Sequence, residues 1–138
     1  GLMAMQLADT NVISELMRRQ PNPGALAWRD RTDAMHGSVT ISVVTVDEIF
    51  YGLQRKPSAG LMAWFDGFMA HNQVLDISET IARRAGEMRG LLAARGQVRS
   101  QADMLIAATA QVHALTLVTR NVRDFDGCGI AVLNPFSP

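Results

Sequence analysis

Three short acidic segments contain the residues of this chain that are best suited to chemistry. Asp9 follows a short apolar run, Glu48 lies in an apolar helical pattern, and Asp103 stands near the start of a long apolar segment. Carboxylates in such places can converge on one hard divalent cation, because Mg²⁺ prefers oxygen ligands. A magnesium site built from carboxylates alone is typical of phosphoryl-transfer or phosphodiester chemistry. Because each segment is weak evidence alone, the prediction depends on all three in this order.

Each of these acids also has a purely structural interpretation. Asp9 could be the N-cap of a helix, Glu48 could close a capping box with Thr45, and the same pattern pairs Asp103 with Ser100. Asp103 favours a functional site more strongly than the other two. It is the one charged side chain in an otherwise apolar segment, and a buried lone carboxylate is costly unless it is paired, protonated or metal-bound.

Polar residues also follow the predicted fourth strand. Thr119, Asn121 and Asp124 could form a further wall of the same pocket, or a solvated loop whose surface ion pairs contribute little. Next to the first acid, Thr10 and Asn11 could orient its carboxylate or hold a metal-bound water. The set therefore extends a possible carboxylate site with hydroxyl and amide groups.

Short apolar runs alternate with helical patterns along the chain, which predicts α/β units with a parallel sheet. The predicted strands are 5–8, 39–42, 74–77, 115–119 and 130–133, and the main helices are 44–54, 61–71, 78–95 and 101–114. Right-handed crossovers place helices on both faces of such a sheet. Ligands bind beyond the carboxyl ends of its strands, where the acids are expected to meet.

Composition narrows the class of protein. The 138 residues carry 13 basic and 13 acidic side chains, so no global basic field favours a protein that simply coats nucleic acid. Cys128 is the only cysteine, which excludes a disulfide within the chain and fits a reducing cytoplasm. No apolar run approaches the roughly 18 residues of a membrane span. Residues 1–4 are expected to be an expression scar or disordered.

The order of these segments resembles the PIN-domain proteins of the VapC and FitB type. The matching segments are 7–15, 45–48 with Gly52, 102–110, 117–125 and 132–136. The resemblance covers nearly the whole chain. It implies a single PIN-like domain over residues 1–138, folded as a three-layer α/β/α sandwich with a central parallel sheet of about five strands.

The resemblance implies a Mg²⁺- or Mn²⁺-dependent endoribonuclease that acts as the toxin of a type II toxin–antitoxin pair and cleaves RNA through metal-activated water. Asp9 and Asp103 match the family's principal metal-binding aspartates, and Glu48 matches its third acid. The fourth acidic position falls at Asn121, with Asp124 a turn later. Because an amide is a weaker ligand than a carboxylate, Asn121 disfavours a second tightly bound metal.

The resemblance also implies roles for the polar loop. Thr119, Asn121 or Asp124 would position the nucleophilic water, and Arg120 or Arg123 would hold the RNA backbone. The candidate substrate-binding residues are Thr10, Asn11, Arg120 and Arg123.

Partners follow from the same resemblance. It implies a separately encoded antitoxin, with an antitoxin arginine entering the acidic pocket, and a homodimer in the cytoplasm. The candidate contact surface is the apolar helix 61–68 with the region of Met17 and Trp28. The alternative is that these residues are ordinary core.

Other classes of protein also have carboxylates at the edge of a sheet. A phosphatase of the aspartyl-phosphate class is disfavoured because Asn11 stands where a second aspartate is expected and Lys56 is the only lysine. A metal-dependent DNase differs only in its substrate. A third possibility is a non-catalytic binding subunit of a toxin–antitoxin DNA-binding complex, in which the acids are helix caps. Metal binding discriminates between the enzyme and the binding subunit, because carboxylates that only cap helices bind no metal.

Overall fold

Five short strands and six helices make up the part of the chain that the computed structural model describes, residues 5–138. In chain order they are β1 (Gln6–Ala8), α1 (Thr10–Leu16), α2 (Pro23–His36), β2 (Thr40–Ser42), α3 (Val43–Arg55), α4 (Ala59–His71), β3 (Gln73–Leu75), α5 (Glu79–Ala94), α6 (Gln101–Val112), β4 (Thr116–Val118) and β5 (Val132–Leu133). A 3₁₀ helix, Val122–Phe125, lies between β4 and β5. Residues 1–4, expected to be a scar or disordered, lie outside the described range.

All strand pairings are parallel, as the alternating pattern predicts. Hydrogen bonds join the strands in the orders β1–β4–β5 and β2–β3, and residues of β1 and β2 lie side by side. Each strand is shorter than predicted. Apolar residues beyond the strand ends, such as Ile77 and Ile130, pack against the core without continuing the hydrogen-bonded ladder.

The two faces of the sheet are covered by different helices, which confirms the three-layer prediction. Leu7 and Leu117 pack into a cluster with residues of α5 and α6, whereas their neighbours Ala8 and Val118 pack against α1 to α4. This split follows from the pleat, because successive side chains of a strand point to opposite faces. With both faces covered, Asp9 at the end of β1 is carried into the interior.

Helix α6 is buried along most of its length, as its apolar sequence predicts. Met104 and residues 106–110 are buried, and α5 packs against them through Ile81 and Met88, which lie on one helical stripe. Full burial of an isoleucine or methionine side chain such as those of Ile106 and Met104 contributes about 1.5–3 kcal/mol. The first turn of α6, which includes Asp103, therefore belongs to a rigid element.

The start of α3 differs from the prediction. Ser42 is the N-cap, and its hydroxyl accepts a hydrogen bond from the backbone N of Val44 at 3.0 Å. Thr45 therefore lies inside the helix, and the capping-box interpretation of Glu48 is wrong. The reason is that α3 begins directly after β2, with no connecting loop.

Part of the predicted contact surface is core. Trp28 is 2% exposed, and its indole N–H donates to Gln6 Oε1 at 2.7 Å, so its assignment to an interface is wrong. Phe65 and Phe68 are also buried, whereas Leu61 on the same helix is exposed. Within residues 5–138, none of the helices has the length and apolar character needed to cross a bilayer.

Candidate active site

An open cavity of about 430 Å³ lies beyond the carboxyl ends of β1 and β4. Its walls come from α1, α3, the first turn of α6 and the loop after β4. The lining residues are Asp9, Thr10, Asn11, Ser14, Glu15, Arg18, Glu48, Asp103, Arg120 and Asn121. The three predicted acids therefore do share one cavity, at the edge of the sheet where the topology places them.

Asp9 is held by hydrogen bonds on both carboxylate oxygens. Oδ1 accepts from the backbone N of Thr10 at 2.8 Å, and Oδ2 accepts from Thr119 Oγ1 at 2.8 Å and from Asn11 Nδ2 at 3.2 Å. Its own backbone N donates to the carbonyl of Val118 at 2.8 Å. As the N-cap of α1, Asp9 is thus both a cap and a member of the cavity wall.

The surroundings of Asp9 oppose its negative charge. The pKa of Asp9 is raised to about 6, mainly by burial; hydrogen bonds from Thr119 and Thr10 lower it, and the charges of Asp103 and Glu48 add to the rise. Asp9 is only 4% exposed. A cation in the cavity would favour the ionised form, because an opposite charge relieves both the burial cost and the repulsion.

Glu48 is tied to the site rather than to the start of its own helix. Thr10 Oγ1 donates to Glu48 Oε1 at 2.6 Å and also lies 2.9 Å from Thr45 Oγ1. The neighbouring acid, Asp47, is exposed and does not line the cavity. A single hydroxyl of α1 thereby orients the acid that α3 contributes.

Asp103 combines a position near a helix cap with a place in the cavity wall. The Ser100 hydroxyl accepts from the backbone N of Asp103 at 3.0 Å, which confirms Ser100 as the N-cap of α6. Burial raises the pKa of Asp103; a hydrogen bond with Ser100 lowers it, the charges of Asp124 and Glu48 raise it, and Arg99 lowers it. Asp103 thus experiences the negative potential of the other acids.

Asn11 connects α1 to the loop after β4. Its Nδ2 donates to Thr119 Oγ1 at 3.0 Å, and its Oδ1 accepts from the backbone N of Arg120 at 3.0 Å. The backbone N of Asn121 donates to Thr119 Oγ1, also at 3.0 Å. Thr119 is fully buried behind Asp9 and does not line the cavity, whereas Arg120 and Asn121 do.

Two predicted residues are not brought into the cavity. Arg123 and Asp124 lie exposed in the 3₁₀ helix, and neither lines the cavity wall. The charge of Asp124 is nevertheless close enough to raise the pKa of Asp103. Asp124 therefore lies at the periphery of the acidic group.

Three cavity residues were missed by the sequence reasoning: Ser14, Glu15 and Arg18. Glu15 is buried, and its carboxylate accepts from Arg18 Nη1 at 3.2 Å and from the backbone N of Asn22 at 2.9 Å. Helical spacing contains the signal, because Glu15 lies four residues after Asn11 and Arg18 three residues after Glu15.

The donor set of this cavity fits Mg²⁺ or Mn²⁺ better than zinc. Its lining side chains offer carboxylate, hydroxyl and amide oxygens but no histidine or cysteine. Across residues 5–138, no three acidic, histidine or cysteine side chains lie close enough to enclose a cation together. Mg²⁺ needs no such enclosure, because it usually keeps several waters and is bound through one or two carboxylates.

Comparison with known proteins gives the family. The family model for the PIN domain matches residues 7–127. The toxin FitB of Neisseria gonorrhoeae is 33% identical over 144 residues, covering 96% of this chain and 99% of that protein. The VapC ribonuclease Y4jK of Sinorhizobium fredii is 30% identical over 141 residues, covering 97% and 99%.

A solved structure agrees with the sequence comparison. The crystal structure of FitAcB from Neisseria gonorrhoeae superimposes with a TM-score of 0.83 at 32% identity, covering 95% of this chain and 98% of that chain. The match of the family model, the relatives and the fold extends over the elements that form the acidic cavity. The chain belongs to the PIN-domain family.

Proposed function

We propose that this chain is a divalent-metal-dependent endoribonuclease and the toxin of a type II toxin–antitoxin pair. The observation that carries the proposal is the meeting of Asp9, Glu48 and Asp103 in one cavity at the ligand edge of a PIN fold. Relatives named as a toxin and a ribonuclease match over nearly their whole length, which supports the same activity here.

Asp9, Asp103 and Glu48 would hold the cation, directly or through water. When bound there, Mg²⁺ or Mn²⁺ supplies a more acidic water and stabilises negative charge on the scissile phosphate. The raised pKa values of Asp9 and Asp103 fit this role, because carboxylates that repel one another are stabilised by a shared cation.

The remaining residues of the cavity orient these acids and the substrate. Thr119 fixes Asp9 from behind, and Thr10 fixes Glu48. Asn121 faces the cavity and is the candidate that positions the attacking water through its side-chain amide. Arg120 is the candidate for an RNA phosphate, because a guanidinium matches phosphate oxygens with two parallel hydrogen bonds.

Of the other sequence predictions, Asn11 is proposed to act by anchoring the loop that carries Arg120. Asp124, at the edge of the acidic group, is a weaker candidate for positioning water. Arg123 is exposed and outside the cavity, so it would contact the RNA strand farther from the cavity than Arg120 does.

We further propose that a separately encoded antitoxin inhibits the enzyme. Residues 1–138 would form a single domain, and two copies of the chain would form a homodimer in the cytoplasm. A cleft beside the acidic cavity, lined partly by Met17, Leu53 and Leu61, offers apolar surface for an antitoxin segment. An arginine of that segment would find carboxylates in the neighbouring cavity, since Glu48 lines both.

A non-catalytic binding subunit is the second candidate. It is favoured by one observation, that Asp9 is the N-cap of α1 and its Oδ1 accepts a hydrogen bond from the backbone N of Thr10. In that case the carboxylates would serve structure alone, and the protein would bind no metal.

Cleavage of total cellular RNA in Mg²⁺ or Mn²⁺ tests the proposal. Wild type should give discrete fragments that disappear with EDTA and with Asp103→Asn. Asp47→Asn is the matched control, because Asp47 is exposed outside the cavity and should leave cleavage unchanged. Single-stranded DNA as a second substrate separates a ribonuclease from a DNase. Absence of both cleavage and calorimetric Mn²⁺ binding would favour the binding subunit.

A further inference from the structure

We infer that Arg18 and Arg120 form a phosphate-binding pair at the mouth of the acidic cavity, positioned by the C-terminal residues 134–138. This inference rests on the proposed ribonuclease function and deepens it. It assigns the pair to backbone phosphates of the bound RNA strand. We call residues 134–138 the C-terminal strap.

The charge of the cavity creates the need for such a pair. Its wall carries four carboxylates, on Asp9, Glu15, Glu48 and Asp103, and two cationic side chains, Arg18 and Arg120. The chain has no net charge that could attract RNA from a distance. An RNA strand that enters the cavity therefore needs local cations, and arginine suits phosphate through its planar fork of donors.

Arg120 is held at the rim instead of pairing with the acids below it. Its guanidinium carbon lies 5.0 Å from the centre of the Phe136 ring. No carboxylate of residues 5–138 comes within ion-pairing distance of it. A cation–π contact of this kind attracts the guanidinium to the face of the ring. With its backbone N bonded to Asn11, Arg120 presents a guanidinium whose charge is not neutralised by an acid.

Arg18 is anchored by a buried acid at one edge only. Its Nη1 lies 3.2 Å from Glu15 Oε1 and 3.5 Å from Oε2. The Glu15 side chain is 7% exposed, whereas that of Arg18 is 67% exposed. Because a guanidinium has five N–H donors, most of them remain available to phosphate oxygens. Glu15 is in turn fixed by the backbone N of Asn22.

The C-terminal strap supports both arginines. Asn22 Nδ2 donates to the carbonyl of Ser137 at 3.1 Å, and the backbone N of Ser137 donates to Asn22 Oδ1 at 2.9 Å. The strap thus clamps the loop that fixes Glu15, and through Phe136 it supplies the ring beneath Arg120. One short segment therefore contributes to the placement of both guanidinium groups.

Binding of RNA to an inactive full-length protein tests the arginine pair. Asp103→Asn in Mg²⁺ is titrated with a fluorescein-labelled, mixed-sequence single-stranded RNA, read by anisotropy over about 50–200 mM salt. Arg18→Ala and Arg120→Ala should each weaken binding roughly three- to tenfold. Each should also reduce the slope of log K against log salt by about 0.7, the value for one phosphate contact on a single strand. Arg95→Ala, an exposed arginine outside the cavity, should change neither quantity.

Substitutions of Phe136 test the strap as a positioning element. Phe136→Leu keeps apolar packing but removes the ring face, so it should weaken binding, but by less than Arg120→Ala because the guanidinium charge remains. Phe136→Tyr keeps the ring and should bind as the parent. In the Arg120→Ala background, Phe136→Leu should have no further effect. In the active enzyme, Phe136→Leu should raise KM with little change in kcat, which a general loss of folded protein would not produce.

The outcomes separate this inference from the proposed function. If wild type cleaves RNA but both arginine variants bind like Arg95→Ala, the phosphate pair is wrong and the ribonuclease stands. If the arginine variants weaken binding but Phe136→Leu and Phe136→Tyr are equal, the role of the strap is wrong. If the protein neither binds nor cleaves RNA, the function and the inference fail together.

Discussion

The Thr119 hydroxyl donates a hydrogen bond to Asp9 Oδ2 at 2.8 Å, between two buried side chains that are far apart in the chain. The two residues follow β1 and β4, whose last paired residues are Ala8 and Val118. Parallel pairing thus places the hydroxyl behind the carboxylate and leaves the open side of Asp9 to the cavity. The Asp9 carboxylate is oriented by the sheet itself.

Thr119→Val should impair both stability and activity, because it keeps the shape of the side chain but removes the donor to a buried carboxylate. Loss of this bond, and of the acceptor for the backbone N of Asn121, costs about 1–3 kcal/mol, measurable by urea denaturation. The pKa of Asp9 should rise further, since the bond from Thr119 lowers it. Thr119→Ser is the control and should behave nearly as wild type. Equal stability of the two variants would contradict this role of the hydroxyl.

Asp9→Asn should stabilise the metal-free protein at high pH. The folded-state pKa of Asp9 is raised from 3.8 to about 6, so the folded state binds the proton more tightly than the unfolded state. Its stabilising contribution is present below the unfolded pKa and is lost as the pH rises through about 6, a loss on the order of 3 kcal/mol.

Thermal unfolding in EDTA measures this effect. The gain in Tm from Asp9→Asn should be larger at about pH 8 than at about pH 5, where the wild-type carboxylate is mostly protonated. In Mg²⁺ the wild type should have the higher Tm, because only the wild type retains the Asp9 carboxylate as a metal ligand and is stabilised by binding the ion. Exposed Asp47→Asn should show no such pH-dependent gain. A metal-free Asp9→Asn protein that is less stable than wild type at both pH values would refute the prediction.

Thr10→Val should reduce cleavage through Glu48. The hydroxyl bonded to Glu48 Oε1 at 2.6 Å would be lost, and Glu48 would be free to adopt other rotamers. We expect kcat to fall roughly tenfold, the equivalent of about one hydrogen bond. Thr10→Ser keeps the donor and should retain most of the activity. If Thr10→Val and Thr10→Ser cleave RNA at the same rate, Thr10 does not position Glu48.

Sequence reasoning could locate Asp9, Glu48 and Asp103 because they depend on the ends of elements that hydrophobic patterns reveal. The carboxyl ends of parallel strands share one edge, so Asp9 and the loop after β4 had to meet there. The role of Glu48 was ambiguous, because a capping box requires that the helix begin at Thr45. The helix instead begins after Ser42, the last residue of β2, which is its N-cap. Its start therefore depends on where the strand ends, which the local sequence pattern does not show.

Other residues of the site depend on contacts that no local pattern contains. Glu15 and Arg18 are reached only by continuing the helical spacing of α1 past the first acid. The contact of Phe136 with Arg120 joins the end of the chain to the loop after β4, and Asn22 binds Ser137 across more than a hundred residues. Such tertiary contacts leave no periodic trace in a single sequence.

Gly24→Ala should displace the C-terminal strap. A Cβ at Gly24 would overlap the carbonyl oxygen of Pro135 and the backbone N of Ser137, and backbone atoms cannot move aside as a side chain can. Relief of this overlap should cost about 1–3 kcal/mol in the free energy of unfolding. Gly67→Ala, in α4, is the matched control, because no atom lies within 4 Å of its added Cβ.

Stability and hydrogen exchange distinguish Gly24→Ala from its control. The control Gly67→Ala should stabilise the protein by about 0.5–1 kcal/mol, as expected for an exposed helical glycine. Gly24→Ala should instead speed hydrogen exchange at the amide of Ser137, whose bond to Asn22 would be broken. It should also weaken RNA binding in the same assay as Phe136→Leu. A Gly24→Ala protein with wild-type stability and exchange would show that the close approach of the strap is not what holds it in place.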